Sequence, residues 1–278
     1  MVALARIFFS HGNSFPGGTY NRVLDGLRER GFEVLAMDRF GHDPAYPVTD
    51  NWPHLVQQLA DNARAWQADG PPAFLVGHSL GGILSLMCAA RHPELARGVL
   101  LLDSPILSGW KATTLGLVKR TQLVGALSPG RISRKRRNHW PDREAVLEHL
   151  WHKKAFAAWD ARVLQDYVAH GTEMRDGQCW LRFDRDIETR IYNTLPDHLP
   201  GLLRRHPLRC PVAFIGGTHS VEMRTVGMEL TARVARGRTM MLDGSHLFPM
   251  EKPEATAAAI EASLRNLLQA SASSGASS

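Results

Sequence analysis

Four short apolar runs in the first hundred residues, each leading into an amphipathic stretch, constrain this chain more than any other feature. They are Ala5–Ser10 (ARIFFS), Glu33–Asp38 (EVLAMD), Ala73–Val76 (AFLV) and Gly98–Asp103 (GVLLLD). Runs without polar alternation indicate strands buried on both faces, as in a parallel sheet. The stretches between them have helical spacing. Tyr20, Val23, Leu24 and Leu27 line one face of Gly17–Gly31, and Leu55, Val56, Leu59 and Ala63 one face of Trp52–Ala68. A third helix is expected over Ile83–Arg91. Helices joining parallel strands form right-handed crossovers, so the pattern predicts an α/β, doubly wound, mainly parallel sheet.

The rhythm stops at Asp103. From Ser104 to about Arg205 there are helical stretches, such as Arg143–Ala158, but no run of buried strands. It resumes with Val212–Gly216 (VAFIG), a helix near Glu222–Ala235, Thr239–Asp243 (TMMLD) and a last helix over Pro253–Gln269. The expected organisation is therefore a core of residues 1–103 and 207–270, a helical insertion of residues 104–206, and a low-complexity, disordered tail of residues 271–278.

Charge follows the same division. The chain carries 33 Lys+Arg and 27 Asp+Glu, a net +6. Ser104–His206 holds 18 of the basic and 11 of the acidic residues, a net +7, leaving −1 for the remainder. Arg131–Arg137 concentrates five basic residues in seven. Two readings stay open for this run: a solvated surface, or attraction of anionic acyl substrates toward a cleft. No nucleic-acid-binding motif accompanies it, and a nucleic-acid partner is not expected. Trp140, Trp151 and Trp159 are expected to serve as core and pocket lining. The three cysteines lack metal or disulfide spacing, and Cys88 reads as a small buried hydrophobe. No apolar run reaches the ~20 residues of a membrane span. MVALARIFFSHG has neither a charged leader nor a cleavage pattern, so a cytoplasmic location is expected.

Gly77-His78-Ser79-Leu80-Gly81 fits G-x-S-x-G. The bare pattern arises by chance in about one chain in ten of this length. Its context gives it meaning, because here it follows the strand AFLV and opens a helix. A serine on such a turn has its hydroxyl exposed, with the next amide and the helix N-terminus facing a developing anion. Ser79 is the candidate nucleophile, and it needs a base. His246, on the loop after the last expected strand, can reach it, because a parallel sheet gathers its carboxyl-terminal loops at one edge. His78 is expected to point away from the site, and His11 to hold its own loop.

Taken together, SHGN at 10–13, GHSLGG at 77–82, LLLDSP at 100–105 and GSHLFPMEKPE at 244–254 resemble the α/β-hydrolase fold family. The resemblance runs from Ala5 to about Gln269, outside the insertion. It implies a Ser–acid–His triad, a backbone oxyanion hole at Asn13 and Leu80, and a helical lid in the position of residues 104–206. The family's first antiparallel strands are missing, which implies a sheet of about six strands. The turn that carries the acid in many relatives reads Gly216-Gly217-Thr218-His219, with histidine in the aspartate's place. Two residues could replace it. Asp103 ends the strand after the nucleophile helix and is preferred, and Glu222 is the alternative. Dehalogenation is disfavoured by Ser79 and Leu80, since that chemistry needs an aspartate nucleophile.

The expected activity is hydrolysis of an ester or related acyl bond of a small molecule, with no metal or organic cofactor. A C–C bond hydrolase would use the same triad. A catalytically silent ligand-binding protein of the same fold is the alternative from another class. Oligomeric state is not legible in the sequence.

Overall fold

The computed structural model describes residues 3–68, 70–108 and 134–275. Its main sheet has six parallel strands: β1 (Arg6–Ser10), β2 (Glu33–Ala36), β3 (Ala73–His78), β4 (Ala96–Leu102), then β8 (Val212–Gly217) and β9 (Thr239–Leu242). Their order is β2-β1-β3-β4-β8-β9.

Period-two alternation divides the strands' apolar side chains between two cores. Ile7, Phe9, Phe74, Val76, Leu100 and Leu102 face helix α1 (Asn21–Glu29) and the C-terminal helix Pro253–Gly275. Phe8, Leu75, Val99 and Leu101 face α2 (Pro53–Gln67) and α3 (Leu80–Arg91). Each such side chain, fully buried, contributes about 1.5–3 kcal/mol. Two covered faces explain why these strands read as unbroken apolar runs.

The insertion departs from the expected all-helical segment. Its described part contains a three-stranded antiparallel sheet, order β5-β7-β6, from β5 (His139–Trp140), β6 (Thr172–Arg175) and β7 (Gln178–Leu181). Asp176 and Gly177, at φ 49° and 75°, turn the β6–β7 hairpin. That dipeptide is the favoured two-residue hairpin turn, so MRDGQCW carried the signal. These strands are too short and half-exposed to read as buried runs. The described part also holds helices Arg143–Trp151, Ala161–Gly171, Arg185–Asn193 and Leu199–Arg205. Val146, Leu150, Val163, Leu164 and Tyr167 join the same core as Phe9 and Phe74, so the insertion packs onto the sheet domain.

Three helix ends also differ from expectation. The helix from Arg143 stops at Trp151 instead of Ala158. The one near Glu222–Ala235 is two helices, Val221–Val226 and Glu229–Ala235, broken at Gly227 with φ 87°. The last helix runs past Gln269 to Gly275, into the segment expected to be a disordered tail; alanine and serine tolerate the helix there. Among the described residues, no helix is long and apolar enough to cross a membrane.

Candidate active site

Strand order reverses between β1 and β3, because the chain first moves outward to β2 and then crosses back. In open α/β sheets the crevice at such a reversal, beyond the carboxyl ends of the strands, is where ligands bind. His11–Asn13 follow β1, Ser79 follows β3, Asp103 follows β4, and His246 lies on the loop after β9.

Ser79 has φ 52° and ψ −114°, a strained conformation for a residue with a side chain. The neighbouring glycines make it possible. A Cβ on Gly77 would come within 2.2 Å of the Gly81 backbone, and one on Gly81 within 2.0 Å of the Ser10 carbonyl. The turn thus packs backbone against backbone and projects the serine outward.

The Ser79 hydroxyl lies 3.0 Å from His246 Nε2, and His246 Nδ1 lies 2.6 Å from Asp103 Oδ2. Glu222, the alternative acid, has its Oε2 3.8 Å from the same Nδ1 and is half-exposed. Asp103 is fully buried. Its Oδ1 accepts the Gly217 amide at 2.8 Å and its Oδ2 the Ser220 hydroxyl at 2.6 Å. Burial by itself pushes the Asp103 carboxyl up, but the bond and charge of His246, with Ser220 and Gly217, outweigh it. The carboxyl is held below its ordinary value. The turn after β8, which has no aspartate of its own, supplies two donors to an aspartate from β4. Ser220 also caps the helix Val221–Val226, accepting the Met223 amide at 3.1 Å. Sequence reasoning missed Ser220; a serine ahead of a short helix carried only a capping signal.

His78 does not point away from the site. It is fully buried, with its ring centroid 4.9 Å from that of His246. The Tyr20 hydroxyl accepts the Gly12 amide at 2.9 Å and lies 2.7 Å from His78 Nδ1, while His78 Nε2 lies 2.8 Å from the His246 carbonyl. A carbonyl can only accept, so His78 carries its proton on Nε2 and Tyr20 donates to Nδ1. One chain of bonds therefore joins the loop after β1 to the loop bearing His246. His11 is likewise buried and accepts the Phe40 amide at Nε2, 3.0 Å away, with its Nδ1 at 2.8 Å from the Gly12 carbonyl. Both rings are kept neutral, burial being the largest cause: His11 is pushed down to about 4 and His78 to about 3.

This has a sign and a slope. In the unfolded chain both rings titrate near 6.5, so acid protonates the unfolded state first. Their contribution is fully present above pH 6.5 and is lost as pH falls toward 4 and then 3. Near pH 5 the two together should make unfolding easier by about 2.7 kcal/mol per pH unit. Urea unfolding at pH 7, 6 and 5 measures it, and a flat profile would contradict two buried neutral imidazoles.

Ser79, His246, Asn13 and Glu222 line one cavity of about 530 Å³. Phe15, Tyr192, Val221 and Leu247 give it apolar walls, and Lys154 and Glu251 are its other charged residues. Leu80, whose amide follows Ser79, is buried and begins α3. Tyr192 comes from the insertion and had no signal in the sequence beyond its helix. Trp140 and Trp159 are buried, whereas Trp151 is 57% exposed. Arg131 of the basic run lies outside the described residues. Arg136 is partly buried and pairs with buried Glu188 at 3.1 Å.

A family model described as the alpha/beta hydrolase family matches residues 7–259. The chain belongs to the alpha/beta hydrolase family. Among its relatives is the monoglyceride lipase of Rattus norvegicus, 30% identical over 130 residues, which are 45% of this chain and 43% of the lipase. The match thus spans less than half of that relative's length. A serine hydrolase-like protein of Dictyostelium discoideum is 25% identical over 271 residues, covering 88% of this chain and 70% of that protein. Among solved structures, E-2-(acetamidomethylene)succinate hydrolase superposes with a TM-score of 0.70 at 22% identity, over 95% of this chain and 91% of that one. At that identity the likeness bears on the fold.

Within this α/β-hydrolase site, one group of residues also has metal-ligand chemistry. Asp103, Glu222 and His246 offer ligand atoms within 4.8 Å of one another. An ion there would take His246 Nδ1 away from Asp103, so metal binding and the Ser79–His246–Asp103 line are mutually exclusive uses of the same atoms.

Proposed function

We propose that the chain is a serine hydrolase that cleaves an ester or related acyl bond of a small molecule. The observation that carries this reading is the continuous line from the Ser79 hydroxyl through His246 to buried Asp103, opening into the cavity. Asp103 fixes the His246 tautomer with its proton on Nδ1 and stabilises the imidazolium that forms. His246 Nε2 takes the Ser79 proton as the oxygen attacks the acyl carbonyl. The Asn13 and Leu80 amides stabilise the oxyanion, each worth about 3–4 kcal/mol. His246 then protonates the departing alkoxide. Water activated by the same ring releases the acid and restores Ser79.

The cavity walls favour an uncharged acyl group of modest length. Among the described residues Lys154 is balanced by Glu222 and Glu251, so the lining does not argue for an anionic substrate. The residues from 104 to 206 act in this reading as a lid that shapes the acyl site through Tyr192, Lys154 and Ala158. A series of p-nitrophenyl esters from acetate to palmitate tests it. Turnover should peak at short to medium chains and fall for palmitate, whose chain exceeds the cavity. Turnover of none of them by folded protein would contradict the esterase reading and favour the C–C bond hydrolase or a silent binding protein.

A further inference from the structure

We infer that Glu188 and Arg136, both in the inserted segment, are positioning residues that hold the loop carrying the Asn13 amide. The inference rests on the serine-hydrolase reading and adds that the insertion helps set the oxyanion hole as well as cover it.

Glu188 lies in the first turn of the helix Arg185–Asn193 and is 4% exposed. Its Oε1 accepts the Ser14 hydroxyl at 2.5 Å, and its Oε2 lies 3.1 Å from Arg136 Nη2. Its backbone carbonyl accepts Asn13 Nδ2 at 3.1 Å. One turn further along, Tyr192 lines the same cavity as Asn13. Both residues after Gly12 are therefore fastened by their side chains to one helix of the insertion.

Two facts indicate that this fastening serves more than cohesion. Ser14 has φ 79°, a left-handed conformation that a serine keeps only where its surroundings impose it. A buried ion pair is also a poor means of stabilisation, since apolar residues of similar size usually do as well. What the Glu188 carboxylate does and an apolar residue cannot is accept the Ser14 hydroxyl. Arg136, partly buried, supplies the countercharge beside it. This gives one member of the basic run a defined task. Oxyanion donors act within about 2.7–3.1 Å of the developing charge. A displacement of about 1 Å can cost about a hundredfold in rate.

The test is the rate of Ser79 phosphonylation by a fluorophosphonate, read by intact mass, together with kcat and KM for p-nitrophenyl butyrate. The double variant Arg136→Met/Glu188→Met keeps the bridge filled with apolar volume and removes only its polar function. It should melt within a few degrees of wild type, yet label Ser79 about ten- to a hundredfold more slowly. Its kcat should fall in parallel, with KM changed less than threefold. Glu188→Gln, whose amide oxygen can still accept from Ser14, should recover part of the rate. Should the double variant not fold, Ser14→Ala removes the same bond at a single hydroxyl, and its labelling should slow about tenfold. Labelling within twofold of wild type in a folded variant would overturn the positioning role while leaving the hydrolase reading intact. Failure of the wild-type protein to label at all would instead overturn the hydrolase reading, and the positioning role with it.

Discussion

Replacing Ser79 by alanine is expected to lower ester turnover by about a millionfold, to the limit of detection, without loss of the fold. The magnitude follows from what the hydroxyl does. Without it no covalent step exists, and the remaining donors can only assist direct attack by water. Stability should change little or improve. The left-handed φ of 52° stays, but the buried cores on both sheet faces do not involve the hydroxyl. His246→Ala should cost about as much in turnover as Ser79→Ala, and the double variant little more, because the two act as one unit. A double variant that lost the product of two independent factors would contradict a shared proton transfer.

The second large effect separates the two candidate acids. Asp103→Asn should lower kcat by about ten-thousandfold, because asparagine at that place favours the wrong His246 tautomer and leaves the imidazolium unstabilised. Glu222→Gln should stay within about tenfold, since a half-exposed carboxylate 3.8 Å from Nδ1 supplies a screened charge and no hydrogen bond. Asp103 has further partners in Ser220 and the Gly217 amide, so its loss also releases the turn after β8. The kinetic comparison is therefore best made at a temperature where both variants are shown to be folded. A Glu222→Gln variant slower than Asp103→Asn would reverse the assignment.

Much of this arrangement was legible in the chain because it depends on local patterns. Unbroken apolar runs such as AFLV and GVLLLD need two covered faces, and helices cover both faces of this sheet. The glycines around Ser79 are needed for backbone contact distances that no side chain would allow, so the motif and its turn are one constraint. Chain order then brings Asp103 and His246 to the same sheet edge. What was not legible depends on contacts between distant segments. Ser220 looks like a helix cap until Asp103 is placed beside it. His78 looks like a bystander until Tyr20 and the His246 carbonyl take up its two nitrogens. The β6–β7 hairpin, though marked by Asp176-Gly177, lacks the apolar runs that reveal a buried sheet. The sign of a charge says little about its setting: Arg136 is partly buried against Glu188, a pairing that neither reading of its run, solvated surface or attraction of anionic substrates, contains.

The central claim is that Ser79, deprotonated by His246, is the nucleophile of a hydrolase, and one measurement addresses it directly. The folded wild-type protein is treated with a fluorophosphonate and digested, and the adduct is located by peptide mass mapping. The account predicts a single adduct on Ser79, absent when His246 is replaced by alanine. A folded protein that takes up no label, or one labelled equally well without His246, would contradict it.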